Sequence, residues 1–436
     1  MSVDTAPSLG LQPPAVQTRR QLGIVLATLA LDAIGLGVAT PVLPDLLKAA
    51  GVAAADVPTT LGTLLTGFAF MQFVFGSLWG TLSDAWGRRP VLLLTLFGTA
   101  AAFALGASAH SFGGLLAAHL LAGCTAAGAA AATAYLADVT PPADRSRRFG
   151  LAGAVLGLGL IAGPAFGGLL GALGPRVPFV AAGVLAVLNF LGAVFLLTES
   201  LPPQRRTPFA WRRAHPFGSL ALVRDDKVFR TLAGAICLGM TAYGIFLACF
   251  VVSNQLRLGW GPAENGLALA ALGLGIVMTQ SLLLPKVLRR LGEYRSALIG
   301  YALFVAAYVV YSGAGSFAWL AMAIGLHSLA LLSDPPLRAL VSVRAGAGRQ
   351  GEYQGALVCL SGLAASLAPL VGARSFEFFT QANTPALFFP GAPFLLAAAL
   401  YGAAFVAVLR CRALRNPATL AQHLPPQQED IDDPST

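Results

Sequence analysis

Apolar residues run through this chain in long blocks, cut by short breaks that are charged or rich in proline and glycine. The blocks occupy 21–44, 59–81, 91–109, 113–137, 149–172 and 177–198, and after a longer polar stretch 229–254, 263–286, 295–313, 316–338, 352–376 and 390–410. Each comes close to the ~20 apolar residues a helix needs to cross hydrocarbon. The pattern therefore predicts an all-α integral membrane protein with twelve transmembrane helices, numbered here as spans 1 to 12. Composition agrees: 56% of the 436 residues are hydrophobic and 11% charged, against about 25% charged in soluble domains. An ordinary soluble enzyme is excluded.

Charge adds an orientation. Lys and Arg number 28 against 19 Asp and Glu. With the N-terminus in the cytoplasm, every basic residue except Lys48, Arg176, Arg257 and Arg374 falls on the inner side, as the positive-inside rule requires. The net charge of +9 thus reads as topology, and no nucleic-acid partner is expected. Residues 1–20 and 412–436 are expected to be cytoplasmic tails. The run from Leu22 is too long for the core of a cleaved signal peptide, so span 1 is retained. The protein is expected in the cell (inner) membrane, multi-pass, with the lipid bilayer as partner and as a monomer.

The chain divides into 21–200, a basic and proline-containing linker at 201–228, and 229–411. Trp86-Gly87-Arg88-Arg89 precedes span 3 as Leu291-Gly292-Glu293-Tyr294-Arg295 precedes span 9, and the offset from Gly87 to Gly292 also takes Gly150 to Gly355. Six-span halves related by a parallel repeat are the plan of one large transporter fold, which binds substrate near the midplane. Other chemistry finds no footing. The five cysteines and five histidines are dispersed, without metal-ligand spacing, and no G-x-x-x-x-G-K-[ST] phosphate loop is present. No enzyme activity, cofactor or metal is expected.

Two motifs carry mechanism. Gly80-Thr-Leu-Ser-Asp84-Ala-Trp-Gly87-Arg88-Arg89-Pro90 lies between spans 2 and 3, where glycine permits a tight turn and the arginines can pair with Asp84 or neighbouring helix ends. Gly159-Leu-Ile-Ala-Gly163-Pro164-Ala-Phe-Gly167-Gly168 in span 5 sets glycines four apart, a face that lets another helix approach closely. The first resembles the G-x-L-S-D-R-x-G-R-R-P loop of the major facilitator superfamily, with Ala85 in place of the usual arginine. This implies a gate in which Asp84 latches the halves near Gly351, at the start of span 11. The second is similar to the G-x-x-x-G-P-x-x-G-G motif of exporters in that superfamily. The segments LDAIGLG (31–37), LADVT (136–140), DRSRRFG (144–150), LTES (197–200) and RQGEYQG (349–355) look like tetracycline exporters of the drug:proton antiporter branch.

Asp32 lies about twelve residues into span 1, near the bilayer centre at 1.5 Å per residue. A carboxylate there is costly unless it faces a wet cavity, which makes it the first candidate for proton coupling. The resemblance implies the same, because LDAIGLG carries the functional Asp of those exporters. His119 stands where drug antiporters have an arginine, and His327 is mid-span in span 10; a histidine can change charge near neutral pH. Asp334, before Pro335 and Pro336, is expected to pair with Arg338 or shape a helix end. The intramembrane His and Asp of tetracycline exporters fall here at Ile276 and near Phe304, which puts tetracycline itself in doubt. Gln72 and Gln280, at matching places in the two halves, and Tyr243 are the expected cavity-lining residues, with Phe70, Phe246 and Phe250 as an apolar wall. The expected function is proton-coupled efflux of a small amphipathic compound by alternating access. The alternatives are uptake or facilitated passage of a metabolite and, from another class, a transporter-like sensor.

Overall fold

The computed structural model describes residues 15–126, 128–141, 144–209, 226–345, 349–381 and 388–415. Among them, eleven stretches are long and apolar enough to cross a bilayer. One of these, Pro262–Gly313, has 52 residues, and a single rod of that length would measure ~78 Å against ~30 Å of hydrocarbon. It breaks at Gly292, whose φ is +71°, so it makes two crossings. The chain thus has the twelve spans its apolar blocks predict. Gly87 makes the corresponding turn before span 3 with φ +108°, a conformation open to glycine and costly to other residues. These are the two glycines that the repeat offset matched.

Span 1 is Ala15–Ala39, span 2 Val57–Trp86, span 3 Arg88–Ser108, span 5 Arg145–Gly171 and span 6 Val177–Leu196. Span 7 is Lys227–Leu258, span 11 Gln350–Thr380 and span 12 Ala392–Arg410. Span 1 ends five residues before its apolar block does, because Thr40 precedes Pro41 and a residue before proline is driven out of the helical region. Leu43–Ala49 then forms a separate short helix. Two blocks that read as continuous are broken. Span 4 comprises Phe112–Thr125 and Gly128–Asp138, and span 10 comprises Phe317–Ala330 and Asp334–Ala345. Asp334 bonds Arg338 at 3.0 Å as expected, but it opens the second helix of span 10, where Pro335 and Pro336 fit the first turn. In span 8, α-helix Pro262–Met278 passes through a π turn at Thr279–Leu283 into the helix that ends at the Gly292 break.

The packing repeats pair for pair. Spans 1 and 5, 1 and 6, 2 and 4, and 3 and 6 pack together, and so do spans 7 and 11, 7 and 12, 8 and 10, and 9 and 12. The halves join where span 2 meets span 11 and span 5 meets span 8. At the end opposite the Gly87 turn, Thr59 donates to Glu377, Gln255 Nε2 donates to Asp45 Oδ1 at 3.2 Å, and Lys48 Nζ donates to Gln255 Oε1 at 3.3 Å. Midway along, Phe73 of span 2 packs over Gly362 of span 11. Toward the Gly87 turn, Gly76 and Gly80 of span 2 have nothing within 4 Å of where a side chain would begin. The halves are therefore closed at the far end and parted toward the Gly87 end. The loop carrying Arg212, Arg213 and Arg224, and most of both tails, lie outside the described residues.

Candidate functional site: an intramembrane carboxylate between packed seams

Asp32 sits within the first half. A small cavity of about 20 Å³ beside it is walled by spans 1, 3 and 6, including Leu96, Thr99 and Phe103 from span 3 and Ala186 and Asn189 from span 6. On another side Asp32 meets span 4, where Gly128 leaves room for the carboxylate: a β-carbon there would stand 2.7 Å from Oδ2. Sequence reading expected a wet cavity for this group. The cavity it lines belongs to the half-bundle interior, because this face of span 1 is turned toward spans 3 and 6.

The two candidate histidines are set differently. His119 is buried, and its Nδ1–H donates to the carbonyl of Leu115 at 2.9 Å, one turn earlier in its own helix. His327 is 0% exposed and lies in the second half. The rings of Phe246, Phe304, Tyr308 and Tyr311 surround it with centroids 4.9, 5.3, 5.5 and 6.0 Å away. Neither of its ring nitrogens has a hydrogen-bond partner, and neither do the hydroxyls of Tyr301, Tyr308 and Tyr311. Phe304 stacks on Tyr401 at 4.1 Å and Ile276 packs against the same core, so apolar packing occupies both positions.

Span 5 presents two glycine faces. Gly159, Gly163 and Gly167 lie against Ala33, Ile34 and Val38 of span 1, while Gly168 lies against Pro262 and Gly266 of span 8 in the other half. A β-carbon on Gly163 would come 2.7 Å from the Ile34 carbonyl, and one on Gly168 would come 2.8 Å from Gly266 Cα. Pro164, inside the helix, packs on Gly37 with its ring and on Gly266 with its carbonyl. A motif that predicted one close neighbour thus serves two, because Gly168 directly follows Gly167 and so points about 100° round the helix from the row of Gly159, Gly163 and Gly167.

The Gly80–Pro90 loop is a charge network within the first half. Asp84 Oδ1 pairs with Arg88 at 2.6 Å, and Arg88 also reaches Asp138 at 3.1 Å and Ser83 at 3.0 Å. Glu199 accepts from the backbone N–H of Arg88 at 2.8 Å and of Arg89 at 3.2 Å, a carboxylate at the positive end of span 3. It also leaves no room for a side chain at Gly87. Arg89 Nη2 donates to the Val194 carbonyl at 2.9 Å. In this conformation the partner of Asp84 is Arg88, because the halves are parted at this end.

Of the expected cavity residues, Gln72 is exposed, Gln280 is half-buried within the π turn, and Tyr243 is 38% exposed while its ring stacks on Phe246. Phe70 is exposed, but Phe246 and Phe250 are fully buried. These two correct the expected apolar wall, for they form the core around His327. A cavity of about 870 Å³ runs between spans 8 and 10, lined by residues such as Trp260, Met278, Phe317 and Leu329.

No local pattern marks a buried triad at the Gly87 end of the second half. Asp226 caps span 7 by accepting from the N–H groups of Val228 and Phe229 at 2.9 and 3.0 Å. It also accepts from Arg344 Nε at 2.6 Å and from the Tyr353 hydroxyl at 2.8 Å. Burial alone would raise its carboxyl, but the bonds from Arg344, Phe229 and Tyr353 hold it below the usual carboxylate range. Arg344 counted only as a topology charge, since nothing local tells a paired arginine from a solvated one. Asn189, the single amide in the 177–198 block, was legible as a polar exception.

Twelve membrane spans in two repeated halves are the architecture of a multi-pass membrane transporter. The family model described as Major Facilitator Superfamily matches residues 25–369, and the chain belongs to that superfamily. It is 35% identical to the class C tetracycline resistance protein of Escherichia coli, over 82% of this chain and 89% of that protein. It is 37% identical to the class G protein of Vibrio anguillarum, over 80% and 88%. The crystal structure of the human organic anion transporter MFSD10 superposes with a TM-score of 0.67 at 24% identity, over 91% of this chain and 100% of that one.

Proposed function

We propose that this protein is a proton-coupled exporter of a small amphipathic compound, working as a monomer by alternating access. Bundles 21–200 and 229–411, joined by the 201–228 linker, rock about the seams of spans 2 and 11 and of spans 5 and 8. The termini and the Gly87 turn lie in the cytoplasm, as the basic residues there support, and the parted end is then the cytoplasmic mouth. Asp32 carries the proton. The observation that carries this reading is its carboxylate within span 1, held against Gly128 and a cavity that Thr99 and Asn189 help to line, a placement that hydrocarbon tolerates only with such provision. His119, bonded within its own helix, and His327, sealed among rings, have structural parts in this reading.

Gly80, Asp84, Gly87, Arg88 and Arg89 form the cytoplasmic gate. When the mouth closes, Asp84 trades Arg88 for the start of span 11 near Gly351. The glycines of span 5 with Pro164 keep the far end sealed while substrate enters between Gln72, Tyr243 and Gln280. The tetracycline resistance relatives support export of a drug-like compound, while Ile276 and Phe304 argue for a cargo other than a metal-chelated tetracycline.

The test uses inside-out membrane vesicles with an acidified lumen and a panel of amphipathic drugs that includes tetracycline. Accumulation driven by the pH gradient, lost in Asp32→Asn, is the expected result. No gradient-driven accumulation of any compound would overturn the antiport reading.

A further inference from the structure

The cavity beside Asp32 has the size and the polar groups of a site for a single water molecule. Its volume is about 20 Å³, and a bound water needs roughly 10–15 Å³ on this measure together with two to four polar partners. Three polar side chains line it: Asp32, Thr99 and Asn189. Asn189 is the informative one. It is 6% exposed, and its Nδ2 donates to Thr28 Oγ1 at 3.1 Å, while Thr28 in turn donates to the Ile24 carbonyl at 3.0 Å. That chain fixes which way the amide lies, and its Oδ1 is buried without a protein donor. A buried carbonyl oxygen left so is costly, and the neighbouring walls, Leu96, Phe103 and Leu185, have nothing to give it.

We infer that this cavity is a water site serving Asp32, with Asn189 as the residue that positions the water. The water donates one hydrogen to Asn189 Oδ1 and the other to the Asp32 carboxylate, with the Thr99 hydroxyl as third partner. Its role is to help solvate the ionised form of a carboxylate that lies within the membrane. The site lies inside the first half, among spans 1, 3 and 6. Asp32 is therefore solvated by a means separate from the path between the halves, and substrate need not displace this water to reach its own site. The inference rests on the reading of Asp32 as proton carrier for its meaning, but the site itself does not.

The experiment is X-ray hydroxyl-radical footprinting of the full-length protein in lipid nanodiscs, in ¹⁸O-labelled water, with peptide mass spectrometry. A hydroxyl radical born from a water in this cavity is expected to add to the ring of Phe103 and leave its ¹⁸O there, the ring hydrogen being lost to dissolved dioxygen. The label should fall to background in Asn189→Leu, whose side chain fills the space, and persist in Asn189→Ser, which preserves room and polarity. No label in the wild type, or an undiminished label in Asn189→Leu, would overturn the site. Asn189→Ser also guards against misfolding, because loss of its label in a correctly folded sample counts against the proposal. For the positioning role, Asn189→Leu should move the pH midpoint of transport by about one unit, the scale of one hydrogen bond to a charged group, with KM unchanged. An unmoved midpoint overturns that role. Transport that survives Asp32→Asn would sink the coupling reading and leave the footprint standing, so the two failures are distinguishable.

Discussion

Gly128 in span 4 faces the carboxylate of Asp32 in span 1 so closely that a β-carbon at 128 would stand 2.7 Å from Oδ2. Real β-carbons do not approach an oxygen at that distance, so even alanine must push Asp32 or part the two spans. Gly128→Ala is expected to reduce gradient-driven transport about tenfold, equivalent to ~1.4 kcal/mol, with the protein still inserted and helical. Gly153→Ala in span 5, where nothing lies within 4 Å, should leave transport unchanged. Equal activity of the two variants in vesicles would show that the fit at Asp32 is not required.

The seam between spans 5 and 8 makes a second prediction. Gly168 lies against Pro262 and Gly266 of the opposite half, and overpacking a close seam costs about 1–3 kcal/mol. Gly168→Leu should wedge the far end apart and abolish transport, with the protein still inserted in the membrane. A transport-competent Gly168→Leu would count against the seam as the seal.

The triad of Asp226, Arg344 and Tyr353 predicts a pH dependence. The folded-state carboxyl of Asp226 is held below its ordinary value, so its contribution is complete at neutral pH. It is lost as pH falls below the ordinary carboxylate range, near 4, and through the lowered folded value. Asp226→Asn leaves Arg344 buried without its counter-charge, a change that costs about 3–5 kcal/mol. Thermal melts in detergent should show the wild type losing stability as pH falls from about 5 toward 2 more steeply than Asp226→Asn does. Parallel curves would exclude the triad as a source of the acid sensitivity.

His327 offers the reverse case. With both ring nitrogens buried and lacking partners, it carries a desolvation cost of about 1–3 kcal/mol that a ring of similar shape would not. His327→Phe is expected to raise the melting temperature and keep gradient-driven transport. Loss of transport in that variant would place His327 in the proton route.

Much of this was legible in the chain. The apolar blocks counted the spans, because a fixed hydrocarbon thickness sets how long each must be. The repeat offset pointed to Gly87 and Gly292, which turn out to share a positive φ, since only glycine serves a reversal of that kind. Asp32 was legible as an exception in an apolar block. The break in span 4 was not, because apolar composition continues through it, while that in span 10 was signalled by Asp334, Pro335 and Pro336. Phe246 and Phe250 were misread for a related reason: in a helix that is apolar all round, composition does not distinguish the cavity face from the core.

The sequence by itself determined the number of spans, the placement of charge between them, the internal repeat and the short roster of polar residues within the apolar blocks. Hydrophobic length and charge placement act locally, and a linear chain records them. Tertiary structure alone decided that Asp32 turns toward Asn189 and Gly128, that the glycines of span 5 serve two helices, and that Asp226 meets Arg344 and Tyr353. Each of these depends on how one helix is rotated against another, and that rotation is settled by packing among spans far apart in the chain.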